Sequence, residues 1–288
     1  MLFKSADEFV KAPRRAVTVF GMAGVGKTRL SAMLRDDNWF HYSADYRIGT
    51  RYMGEYIVDN FKREAMKVPF LAELLRSDSI YLSSNITFDN LDPLSTYLGT
   101  PGNPEQGGLP LAEYQRRQEQ HRVAEIAALR DVPHFIERAA ELYSYGNFIA
   151  DTGGSLIEVI DPNDPEDPVV KTLVGSTALL YIRGTEKDAG QLIARFKQSP
   201  KPLYYTPAFL LKIWAEYKAL NRVSDDCDID PAGFGAWSFE ALLHDRLPRY
   251  QALADNFGYV VEASDLAMVR DGDEFVDLMA AAIEKRMR

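Results

Sequence analysis

Cysteine is almost missing from this chain: 288 residues include one, Cys227, along with four histidines. One cysteine excludes an intramolecular disulfide, and the scattered histidines give no grounds to expect a structural zinc site. Cys227 reads as a small packing residue rather than a nucleophile. No run of about 18 apolar residues exists that would cross a bilayer. The opening stretch MLFKSADEFVKAPRR is interrupted by Asp7, Glu8 and Lys11, so no secretory signal is expected and a cytoplasmic location is. A basic surplus is also absent. With 33 Lys and Arg against 42 Asp and Glu, the net charge is −9. That balance disfavours nucleic acid and anionic membrane as partners and favours small molecules or proteins.

Hydrophobic residues make up 46% of the sequence and charged residues 26%, the composition of an ordinary globular protein. The pattern along the chain alternates strands with helices. Short β-branched or aromatic runs at 16–20, 39–43, 147–151, 178–184 and 259–263 read as strands. Helical spacing covers 27–34, 52–76 with a break near Pro69, 111–129, 132–143, 186–197, 208–220 and 238–255, with terminal helices after the last strand. Residues 84–111, rich in Gly, Pro, Asn and Asp, read as a long loop, and DPNDPEDP at 161–168 reads as a solvated turn. This alternation predicts a mostly parallel sheet covered by helices, with ligands gathered at the carboxyl ends of its strands.

The most specific stretch is VTVFGMAGVGKTRL, residues 17–30. It fits G-x-x-x-x-G-K-[ST], the Walker A phosphate loop, with Gly21, Gly26, Lys27 and Thr28 in the defining places, after a strand and before a helix. The chemistry accounts for the spelling. Glycines let backbone N–H groups curl around phosphate oxygens, and the helix that follows points the positive end of its dipole at them. Gly21, Ala23, Gly24, Val25, Gly26, Lys27, Thr28 and Arg29 are therefore the expected nucleotide-binding residues. Lys27 would bridge the β- and γ-phosphates and Thr28 would hold Mg²⁺. No N-K-x-D element for guanine is present, so ATP is the expected nucleotide.

In the order of its motifs the chain resembles the small-molecule P-loop kinases of the shikimate kinase and gluconate kinase group. The resemblance rests on HYSADYRIG at 41–49, NFIADTGGS at 147–155, LIARFKQSPKPLYY at 192–205 and RLPRYQALAD at 246–255. It covers about a third of the chain. It implies an α/β P-loop NTPase fold, a three-layer sandwich on a parallel sheet, here carrying a large helical insertion at about 51–145 and a lid at about 197–237 within a single kinase-like domain. It also implies that Asp45 grips the acceptor, while Ser43 stands where the family has a metal-serving acid. Gly153 and Gly154 match two of the family's three substrate-facing glycines, and Ser155 replaces the third. Arg195, Lys197 and Lys201 match the lid region, and Arg246 matches an arginine that pairs with an acidic substrate. Arg47, Arg51 and Arg63 are candidates for the family's second substrate arginine. As a whole the chain also looks like bacterial proteins described simply as ATPases.

Asp151 ends an apolar strand in the manner of a Walker B acid, which would supply the magnesium ligand that Ser43 does not; the other reading is a residue that initiates the turn at Thr-Gly-Gly. Of the aromatic residues at 39–52, Trp39 and Phe40 are expected in the core. Together these readings predict a phosphotransferase that moves the γ-phosphoryl group of ATP to a hydroxyl of a small acidic or polyhydroxylated metabolite, with Lys27, Asp45, Asp151 and Arg246 as the working residues. Two alternatives stand beside it: an ATPase or nucleotide-dependent switch acting on a protein partner, and a nucleic-acid end kinase, which the acidic charge disfavours.

Overall fold

The computed structural model describes residues 2–288. The chain divides into two compact units, one comprising Met1–Ala44, Ile126–Pro200 and Ala236–Arg288, the other Asp45–Glu125 and Lys201–Gly235.

The first unit is built on a parallel sheet of five strands: β1 Arg15–Phe20, β2 Trp39–Ser43, β3 Asn147–Asp151, β4 Ala178–Arg183 and β5 Gly258–Glu262. Their order across the sheet is β2-β3-β1-β4-β5, every neighbouring pair parallel. Parallel neighbours require crossover connections, and helices supply them. The strands read as unbroken apolar runs, because both faces of the sheet are covered: the last four residues of β1 and the first five of β4 are buried. Helix Lys27–Arg35 buries Leu30 and Leu34 and packs on β2 and β3, and helix Gly272–Met287 packs on β5 and on helix Ala6–Val10. Trp39 is buried edge-on to Phe275, and Phe40 stacks on Phe148 with ring centroids 5.7 Å apart, so both belong to the core. The 161–168 turn closes on Asp167, whose carboxylate accepts from Val169 N at 2.9 Å and Val170 N at 3.0 Å and so caps helix Pro168–Ser176.

The second unit is helical. It contains a π-helical turn Ile48–Tyr52 and helices Gly54–Ala65, Pro69–Arg76, Asp92–Leu98 and Pro207–Asn221, with the larger part of helix Leu111–Arg130. Its interior forms around Met53, Ile57, Tyr97 and Tyr114. The Tyr114 hydroxyl donates to Leu203 O at 2.6 Å, and Gln118 receives Tyr205 N at 2.9 Å. Trp214 and Tyr217 pack edge-on against Phe234 at centroid distances of 4.9 and 5.4 Å.

Three local expectations are corrected. The 84–111 stretch is not loop throughout, because helix Asp92–Leu98 forms inside it, opened by Pro93 in its first turn and anchored by buried Leu94, Tyr97 and Leu98. The helix expected at 238–255 runs Pro231–Phe257, since Phe234 docks inside the second unit and carries its glycine-containing first turns into helix. Cys227 is exposed rather than packed, and neighbouring Asp225 pushes its thiol up, which leaves it a poor nucleophile.

Candidate functional site

The loop between β1 and helix Lys27–Arg35 has the backbone that its sequence demands. Gly21, Gly24 and Gly26 adopt φ of 136°, 84° and 102°, the region that side chains resist. At Gly21 space forbids a side chain as well, because a Cβ would stand 2.6 Å from the carbonyl oxygen of Ile182 on β4. Gly26 then opens the helix with no side-chain cap, leaving its first N–H groups to an outside acceptor. The Lys27 ammonium, on a buried side chain, donates to Gly21 O at 2.8 Å and Met22 O at 2.9 Å and so lies across the loop. Ala23 and Gly24 are exposed and Val25 is buried. A Cβ on Gly24 would lie 3.0 Å from Nη2 of Arg195, so that guanidinium sits against the loop. Lys197, four-tenths to half exposed with its partner, pairs with Glu240 at 2.7 Å. Arg29 donates to Ala267 O at 3.2 Å and Val269 O at 3.4 Å, which ties the loop's helix to the segment after β5.

Asp151 closes β3, and its register partners are Val19 on β1 and Ser43 on β2. This register sets it beside the phosphate loop. Its Oδ2 accepts from the Thr28 hydroxyl at 3.2 Å, and Thr152, next in sequence, donates its hydroxyl to Val19 O at 3.0 Å. The two side chains proposed for a magnesium ion are therefore adjacent. Oxygen donors on a hydroxyl and a carboxylate suit this hard cation, which is held by one or two carboxylates plus phosphate and water. Among the described residues no group of three or more His, Cys, Asp and Glu would hold a metal by itself, as expected of a site completed by nucleotide phosphates.

After Asp151 the chain turns at Gly153 into a 3-10 helix, Gly154–Glu158, which three side chains of helix Pro231–Phe257 hold in place. The Tyr250 hydroxyl donates to Gly154 O, and Arg249 donates to Ile157 O. Arg246 forks onto Glu158, Nε to Oε1 at 2.9 Å and Nη2 to Oε2 at 2.9 Å. Arg249 lies 3.9 Å from the same carboxylate and 3.2 Å from Asp245. Burial pushes the Glu158 carboxyl up, and Arg246 and Arg249 act against that shift. Tyr250 also stacks obliquely with Tyr181, centroids 5.8 Å apart, and Tyr181 with Phe20 at 5.4 Å, so the turn and the end of β1 share one aromatic cluster.

Within the first unit, then, the structure brings Lys27, Thr28, Asp151 and Arg195 together at the phosphate loop and Gly153, Gly154 and Arg246 together at the turn. Asp45, half-buried in the short helix Ala44–Arg47, and exposed Lys201 belong to the second unit. Glu158, Arg249 and Tyr250 escaped the sequence reading. The signal for Glu158 was a lone acid inside the apolar stretch LIEVI; a buried acid needs a cation, and Arg246 with Arg249 supply it.

A parallel sheet whose first strand feeds a glycine loop and a Lys-Thr helix, with an acid closing the adjacent strand, defines an α/β P-loop fold. No family model matches the sequence, and no curated protein does. Among solved structures the chain is similar to shikimate kinase from Bacteroides thetaiotaomicron, with 14% sequence identity and a TM-score of 0.36, across 94% of this chain and 95% of that one.

Proposed function

We propose that the protein is an ATP-dependent phosphotransferase that moves a γ-phosphoryl group to a hydroxyl of a small metabolite. The observation that carries this reading is the contact between Thr28 and Asp151 beside a loop with Lys27 laid across it. Lys27 and the loop N–H groups bind the nucleotide's phosphates, and Thr28 and Asp151 hold Mg²⁺. When bound, the ion neutralises phosphate charge, the main electrostatic demand of phosphoryl transfer. Arg195, placed against Gly24, adds a second cation at the loop. Asp45 orients the acceptor hydroxyl and takes its proton. Gly153 and Gly154 leave room for the acceptor, and Lys201 belongs to the lid that keeps water out. The motif resemblance supports the roles of Asp45 and Lys201.

Ser43, the register partner of Asp151 where the resembling kinases have an acid, favours a second reading as an ATPase that switches a protein partner. Release of ADP from MgATP separates the two. Phosphotransfer predicts release that rises with a metabolite; the switch predicts release that no metabolite changes and a protein partner raises. Loss of turnover in Lys27→Ala is expected under both.

A further inference from the structure

Arg246 has its charge met from inside the protein. Both arms of its fork rest on Glu158, whose side chain is 1% exposed, and the Arg246 side chain itself is 10% exposed. The cluster is balanced: Arg246 and Arg249 carry two positive charges, Glu158 and Asp245 two negative ones. A ligand carboxylate that took Arg246 would have to displace Glu158 and leave a buried carboxylate without its bidentate partner, a strongly unfavourable exchange. The third guanidinium nitrogen faces the glycine turn, since a Cβ on Gly154 would lie 3.3 Å from Nη1. Tyr250 and Arg249 hold the same segment through Gly154 O and Ile157 O.

We infer that Arg246 is a positioning residue which, with Glu158 as its internal carboxylate, shapes the Gly153–Gly154 turn into a subsite for an uncharged, hydroxyl-bearing part of the acceptor. This rests on the phosphotransferase reading and narrows its acceptor from acidic or polyhydroxylated to polyhydroxylated at this place. Hydroxyls suit a turn built from backbone, because each both donates and accepts hydrogen bonds. Glu158 thereby determines specificity by occupying the position that an acidic acceptor would need.

Sodium acetate, a free carboxylate, tests the assignment without turnover. The wild type is expected to melt at the same temperature in acetate as in sodium chloride, whereas Glu158→Ala melts lower in chloride and recovers part of the loss in acetate. The double variant Glu158→Ala with Arg246→Met should not recover. If Glu158→Ala fails to fold, refolding in acetate against chloride asks the same question, and recovery in acetate alone supports the assignment. Stabilisation of the wild type by acetate that disappears in Arg246→Met overturns it, as does a Glu158→Ala protein indifferent to acetate. Matched acceptors, glucitol with gluconate and ribitol with ribonate, then test the subsite through ADP release. A polyol preferred by about tenfold or more over its acid supports the inference, and the reverse preference overturns it. The acetate result decides the role of Arg246 even if the phosphotransferase reading fails in its own ADP assay.

Discussion

Lys27, Gly21, Asp151 and His41 each make a claim that one substitution can test. Asp151→Asn keeps the size of the side chain but removes the charge beside Thr28. The Mg²⁺ concentration required for half-maximal turnover should rise severalfold, and an unaltered magnesium titration would return Asp151 to a structural role at the turn. Gly21→Ala combines a forbidden φ of 136° with a Cβ 2.6 Å from a backbone carbonyl of β4. A stability loss of about 2–4 kcal/mol is expected in denaturant unfolding, together with weakened nucleotide binding; an unfolding midpoint like the wild type's would contradict the described loop. His41 predicts a pH dependence. Its burial on β2, aided by the charge of Arg35, lowers its pKa from 6.5 to about 4. The unfolded chain therefore binds a proton there that the folded chain refuses between those two values. Stability from this site is whole above pH 6.5 and is lost as pH falls toward 4, by roughly 3 kcal/mol at most. His41→Leu should flatten that limb of the stability curve, and a slope identical to the wild type's would show that His41 is not its source.

At the scale of elements, helix Pro231–Phe257 carries the most consequence, because Arg246, Arg249 and Tyr250 recur at helical spacing on the side that holds residues 154–158. Tyr250→Phe should cost about 1 kcal/mol and speed amide exchange in the 153–158 segment, and exchange unchanged there would separate the helix from the turn. Tyr250→Phe and Glu158→Ala act on one segment, so their combined unfolding cost should depart from the sum by at least about 0.5 kcal/mol. This helix also shows where the sequence stopped being legible. Its apolar middle announced a helix, but PAGFGAW at 231–237 looked like loop until the packing of Phe234 against Trp214 and Tyr217 was known. Helix Asp92–Leu98 was obscured by the opposite route: Asp-Pro reads as a turn, yet the same pair opens a helix when Leu94, Tyr97 and Leu98 find a core. The strands were plain because burial on both faces leaves continuous apolar runs, and the phosphate loop was plain because its glycines and Lys-Thr lie within eight residues. The partnership of Glu158 with Arg246 was not, since it joins positions 88 residues apart and is fixed by topology.

For the molecule as a whole, the parallel order β2-β3-β1-β4-β5 sets the carboxyl ends of the strands along one edge, and Phe20, Ser43 and Asp151 all stand there. The sheet therefore accounts for the donor half of the site, the phosphate loop with Thr28 and Asp151, by topology alone. None of the described helices is long and apolar enough to cross a membrane. Binding of MgATP to the folded chain should raise its melting temperature, with about 2.7 kcal/mol of added stability at a hundredfold excess over Kd, and a melting temperature indifferent to MgATP would remove the nucleotide from the account. The central claim, transfer to a metabolite hydroxyl, is tested most directly by ADP release from MgATP across a set of polyhydroxylated and hydroxy-acid metabolites, with Lys27→Ala as the control. The account predicts release that rises with a particular metabolite, yields its phosphate ester and vanishes in Lys27→Ala. Release in the wild type that ignores every metabolite and rises only with a protein partner would contradict it.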